Sequence, residues 1–178
     1  MTPAENARRW LLAQGAAAIP HAGGSLYEHL CRVHDRITGL GLHEGLRLAG
    51  LTHAAYGTDG FTTALLPLTG RRQLRDVVGP HAEALVYRYG ACDRRRTWPT
   101  LAATGEVTDR HNGVTETLDR DAVRDFADLT IVNELDVAEA EHDPAIAARH
   151  GGYFRELFTS WAPIASPQVA ADAAEVLG

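Results

Sequence analysis

Leu26, Leu30, Val33, Ile37 and Leu40 recur at spacings of four, three, four and three. That period places all five on one face of an α-helix and leaves little room for another conformation. Ser25 precedes the run and Glu28 follows three residues later, the pattern of a capping box. Gly39 and Gly41 end it. A second apolar run follows at once, from about His43 to Ala55, and it is unusually rich in small residues: Ala49, Gly50, Ala54 and Ala55. Small side chains permit a close helix–helix approach.

The remainder of the chain fits around that pair. Thr2 and Pro3 open a helix over residues 3–14, and residues 16–24 read as a loop. Residues 70–78 and 80–90 give two further helices. Residues 93–99 read as a loop that carries Arg94-Arg95-Arg96. This triplet reads as a solvated turn, with an anion site as the alternative. Asn112-Gly113, flanked by residues 107–118, is a strong hairpin signal. Asp119 or Asp121 caps a long helix to about Glu141 that is apolar on several faces and therefore central. Residues 145–160, with Ile146 among their apolar positions, and residues 167–177 close the chain as two helices. The expectation is a mainly α fold of seven or eight helices with one small β-hairpin. It forms a single domain over 1–178, with a core at about 20–141.

With 178 residues, 45% of them hydrophobic, and a net charge of −6, the chain has the composition of a globular domain. The acidic balance argues against a nucleic-acid partner, which requires clustered positive charge. No run approaches 18 apolar residues and no leader-like segment is evident, so neither membrane insertion nor export is expected. Cys31 and Cys92 form no metal-ligand or disulfide pattern, which fits a cytoplasmic protein.

Chemistry is expected from the nine histidines. His43, His81, His142 and His150 occur at element ends and read as solvated. His21, His29 and His53 adjoin apolar helices, so their imidazoles are expected to point inward. There they serve either as metal ligands or as core residues bonded to backbone carbonyls. Asn133 on the long helix is polar in apolar surroundings and needs a partner. Tyr56 and Thr58 follow His53 into the turn at Gly57 and are expected to share its cavity as catalytic groups. Arg110 in the hairpin is a candidate for holding an anionic substrate.

His29 and His53 lie 24 residues apart on consecutive helices. This resembles the HD-domain superfamily, distantly its (p)ppGpp-hydrolase branch. More closely, Gly24-Ser-Leu-Tyr-Glu-His-Leu30 with Ala49-Gly-Leu-Thr-His-Ala-Ala-Tyr-Gly-Thr-Asp-Gly-Phe61 looks like an uncharacterised HD-like bacterial family with a degenerate motif. The resemblance spans roughly residues 20–140 and implies an HD-like helical bundle. The second motif's aspartate falls at Ala54, the water-activating acidic pair falls near Gly57-Thr58, and the final aspartate falls at Asp128 or Asn133. Either the implied metal site is rebuilt from His21, His29, His53 and Asp128 or Asn133, or the cavity works without metal. Such a carboxylate-poor set favours a divalent transition metal (Fe, Mn, Zn or Cu) over magnesium. The expected function is that of an enzyme with a histidine-lined cavity, acting on a small metabolite, an anionic one included, by hydrolysis or by lyase or redox chemistry. The alternative is a catalytically degenerate ligand-binding or interaction protein. A homodimer is left open.

Overall fold

A computed structural model describes residues 1–141 and 144–178; the side chains of 144–149 lie outside the described set, and with them the expectations for His142 and Ile146. The fold is mainly α. Among the described residues there are ten α-helices: α1 (Pro3–Ala13), α2 (Leu26–Gly39), α3 (Glu44–Thr52), α4 (Arg71–Val78), α5 (Pro80–Ala91), α6 (Arg94–Thr97), α7 (Leu101–Thr104), α8 (Arg120–Ala140), α9 (Pro144–Trp161) and α10 (Pro167–Leu177). Two short antiparallel ladders accompany them: β1 (Pro20–His21) with β2 (Gly24–Ser25), and β3 (Glu106–Thr108) with β4 (Thr115–Thr117). Among the described residues no helix is long and apolar enough to cross a membrane.

Local chemistry sets the helix starts. Thr2 and Glu5 form one capping box and Ser25 and Glu28 another, each satisfying two backbone N–H groups that a helix start leaves unpaired. Asp119 caps α8 through the Ala122 N–H. α2 and α3 pack face to face because Gly50 has no side chain: a Cβ there would lie 2.4 Å from Ile37 Cδ1 and 3.3 Å from Val33 Cγ1. α8 runs across α2, α3 and α5. Every residue from Phe126 to Leu135 on it is buried, which makes it the central helix of the core. α9 and α10 pack against it and against each other.

Two segments expected as loops carry structure. Residues 16–24 include the β1–β2 ladder, with Pro20 paired to Ser25 and His21 to Gly24, and this ladder fixes His21 beside α2. Residues 93–99 contain α6, capped by Asp93 through the Arg96 N–H. The hairpin around Asn112-Gly113 forms with Val107 opposite Glu116. It is tied to the end of α5 by a bridge between Cys92 and Asp109.

Candidate functional site

Three polar atoms from three helices meet inside the bundle. His29 Nε2 of α2 lies 3.3 Å from His53 Nε2 at the end of α3, and 3.0 Å from Asn133 Oδ1 of α8. All three residues are buried. Each is held from behind. His53 Nδ1 donates to the Gly50 carbonyl at 2.8 Å, so its Nε2 presents a lone pair. His29 Nδ1 donates to Asp136 Oδ2 at 2.6 Å, which turns its Nε2 toward the same point. Asn133 Nδ2 donates to Glu134 Oε1 at 3.0 Å, which leaves Oδ1 facing the histidines.

Electrostatics reinforces this arrangement. Burial, and then the nearby His29, push His53 down to about 3, so it is neutral. Burial opposes ionisation of Asp136, but hydrogen bonds from His29 and Arg32 outweigh it and draw the carboxyl down to about 2. Arg32 grips Asp136 with Nε at 2.8 Å and Nη2 at 2.9 Å, and Nη2 also donates to the Ala22 carbonyl of the β1–β2 turn at 3.0 Å. Lone pairs 3.0–3.3 Å apart repel unless positive charge lies between them. A proton on His29 Nε2 supplies it, and so does a cation. Donors bound tetrahedrally at roughly 2.0–2.1 Å around one ion stand about 3.3–3.4 Å apart, close to the 3.3 and 3.0 Å that separate His29 Nε2 from His53 Nε2 and Asn133 Oδ1. The backing carboxylate, carbonyl and amide contacts are the outer partners that orient metal-binding groups.

The triad opens onto a cleft of about 270 Å³ lined by His21, Ala54, Thr58, Phe61, Arg94 and Glu134 among others. The His21 ring stacks on that of His29 with centroids 4.1 Å apart, and its buried Nδ1 has no hydrogen-bond partner. Burial and the neighbouring His29 lower His21 to about 4. Arg94 supplies the positive charge of the wall. It is fixed by Glu134 at 2.9 Å and the Tyr89 hydroxyl at 3.1 Å, with its guanidinium 4.7 Å from the Trp98 ring centre.

Of the sequence-derived candidates, His21, His29, His53, Thr58 and Asn133 come together at this cleft. Three others do not. Tyr56 is turned away, because the chain reverses at Gly57 with a positive φ of 70°; its hydroxyl donates to Glu83 at 3.0 Å. Asp128 is a structural acceptor, taking the Ser166 N–H at 2.8 Å and the Ser166 hydroxyl at 2.6 Å. Arg110 donates to the Gly90 carbonyl at 3.0 Å and fastens the hairpin. Arg94, expected in a solvated turn, is the arginine the cleft uses. Sequence reasoning also missed Asp136 and Glu134. A usable signal was present: Arg32 is one helical turn beyond His29, and Asp136 one turn beyond Asn133, so a charge pair accompanies both polar core residues.

A second histidine cluster lies on the surface. Asp125 accepts from His43 Nε2 at 2.8 Å and from His81 Nε2 at 3.0 Å, and the three can surround an ion. His43 Nδ1, however, accepts the Leu46 N–H as the cap of α3, so the proton of the neutral ring belongs on Nε2. The cluster is complete as a hydrogen-bonded tie between α3, α5 and α8. The His29–His53–Asn133 triad, by contrast, sets the His53 Nε2 lone pair and the Asn133 oxygen against one atom, His29 Nε2.

Residues 10–94 match the family described as Domain of unknown function (DUF6817). The matched segment carries His21, His29, His53 and Thr58 and ends at Arg94, whereas Asn133 and Asp136 lie beyond it. No curated protein and no solved structure matches the chain.

Proposed function

We propose that the protein is an HD-like enzyme in which His29, His53 and Asn133 hold a divalent transition metal, and that it acts on a small anionic metabolite. The observation carrying this reading is the convergence of His29 Nε2, His53 Nε2 and Asn133 Oδ1 at 3.0–3.3 Å, each backed by its own partner. The HD-like assignment draws on the chain order of the donors, with two histidines on consecutive helices and the third donor on a later central one. Ala54, which lines the cleft beside His53, leaves the donor set without a carboxylate. Imidazole-dominated sets suit iron, manganese, zinc or copper better than magnesium.

When bound, such an ion supplies Lewis acidity to an oxygen-bearing substrate. The protein's own groups do the rest. Asp136 and Arg32 hold the His29 ring in orientation. Neutral His21, with its unpaired Nδ1, is available to take or give a proton at the cleft wall. Arg94 offers positive charge to an anionic group. Both hydrolysis and lyase or redox chemistry fit these roles.

The competing reading is a ligand-binding pocket without chemistry, in which a proton on His29 Nε2 bridges His53 and Asn133. Elemental analysis of untagged protein, incubated in turn with Fe(II), Mn(II), Zn(II) and Cu(II) and then desalted, separates the two. His81→Ala is included in every sample to remove the surface cluster. The proposal expects a single retained ion per chain, lost in His53→Gln and Asn133→Leu and kept in Asp128→Ala. Protein that retains no ion, or variants of the triad that keep it, would overturn the proposal.

A further inference from the structure

The histidine cleft does not end at Arg94. A second groove of about 320 Å³ begins there and shares Arg94, Glu134 and Val137 with the first. The Arg94–Glu134 ion pair is therefore a partition between two chambers rather than a back wall. Beyond it the lining changes character and includes Tyr153, Phe154 and His150 of α9. Tyr153 and Phe154 have ring centres 5.4 Å apart, Phe154 lies 6.3 Å from Trp98, and the Arg94 guanidinium sits 4.7 Å from Trp98. An aromatic array thus begins at the cleft's cation and runs outward. Tyr153 is half exposed and lines the groove beside Phe154.

We infer that the two chambers bind one elongated ligand, an anion with a planar aromatic tail. Its charged head lies among His21, Arg94 and the triad, and its ring lies in the groove of Tyr153 and Phe154. This rests on the reading of the histidine cleft as the ligand site and specifies the substrate class for it. One feature selects the tail and two select the head. Flat ring walls favour a flat group over a branched aliphatic one, through offset or edge contacts. Arg94 is held by Glu134, Tyr89 and Trp98 before any ligand arrives, so its remaining N–H donors are pre-oriented for an anion. Gly60 keeps that arginine in place: a Cβ there would meet Arg94 Nη1 at 2.9 Å.

The test uses the full-length protein and a series of simple probes: acetate, benzoate, phenylacetate and 3-phenylpropionate. Affinity is measured by ligand-observed NMR titration. At least one phenyl acid is expected to bind about five- to tenfold more tightly than acetate, the gain of one good ring contact. Tyr153→Ala should abolish that gain and leave acetate unchanged, while Tyr153→Phe should retain it. Because Tyr153 is half exposed, neither substitution threatens folding. Phenyl acids that bind no better than acetate, that do not bind saturably up to tens of millimolar, or whose advantage survives Tyr153→Ala, overturn the inference. Acetate scores the head site separately: acetate binding insensitive to Arg94→Gln counts against the histidine cleft as ligand site, whatever the tail does.

Discussion

Glu83 is a carboxylate with no solvent exposure, and replacing it with glutamine tests how α5 is tied to α4 and to the turn after α3. It accepts from Arg71 Nε at 2.6 Å and Nη2 at 3.0 Å, from Arg75 Nη2 at 3.4 Å and from the Tyr56 hydroxyl at 3.0 Å. Breaking a fully buried ion pair costs about 3–5 kcal/mol. Here Arg71 and Arg75 are about one-third and one-half exposed, so water takes back much of what they lose. Tyr56 is buried and has no such recourse. Glu83→Gln should therefore cost about 2–3 kcal/mol, or about 5–10 °C in Tm for a chain of this size. Tyr56→Phe removes one bond and should cost about 1 kcal/mol. In the double variant that loss is already counted, so the two couple. The pH dependence has a definite sign. Burial alone would raise the Glu83 carboxyl, but the arginines and Tyr56 hold it below the ordinary carboxylate range. Its stabilisation is then present above the unfolded value, about pH 4, and is lost as pH falls through the lowered folded value. Urea melts of wild type and both variants at pH 7 and near pH 3 read all of this. A Glu83→Gln protein as stable as wild type at pH 7, or a gap that does not narrow in acid, would refute the reasoning. So would a Tyr56→Phe protein of normal stability that loses metal or ligand binding, since Tyr56 would then belong to the chemistry.

Three further outcomes follow from contacts elsewhere. Gly50→Ala places a methyl 2.4 Å from Ile37 Cδ1 and should destabilise by about 1–3 kcal/mol; Ile37→Val in the same chain removes that atom and should restore most of the loss in a thermal melt. Asp128→Ala frees the start of α10 by removing both Ser166 contacts and should cost about 2 kcal/mol, with metal content unchanged by elemental analysis. Burial pushes the Cys92 thiol up to about 12, so a thiol reagent at pH 8 should modify only the half-buried Cys31 in the native protein and both cysteines after denaturation.

What the sequence reveals and what it hides follow from the range of the interactions. The α2 stripe is legible because its five apolar residues repeat with the helix period, and His29 and His53 are legible because each lies beside such a stripe. Asp136 is not, because its partners His29 and Arg32 are 107 and 104 positions away, and no local period records a pairing at that distance. Arg94 is hidden differently: three identical arginines stand in a row, and only the four-residue turn of α6 decides which faces inward. Tyr56 misleads because the reversal at Gly57 sends alternate neighbours to opposite sides, Thr58 to the cleft and Tyr56 to Glu83.

The substitution that most shapes the proposed chemistry is one the sequence displays openly. With Ala54 beside His53, the three converging donors are two imidazoles and an amide, with no carboxylate among them. On the proposed reading a divalent ion in that set keeps its full positive charge, whereas a carboxylate-rich set would cancel it. The charges around it do not compensate, because Asp136 is committed to Arg32 and Glu134 to Arg94. A cleft so composed attracts a ligand that brings its own negative charge. Metal and anion should then each strengthen the other's binding by the same factor. Titrating phenylacetate into protein with and without Zn(II) measures that factor. Equal affinities would mean that the ion and the anion do not share a site, and that the carboxylate-free donor set has another purpose.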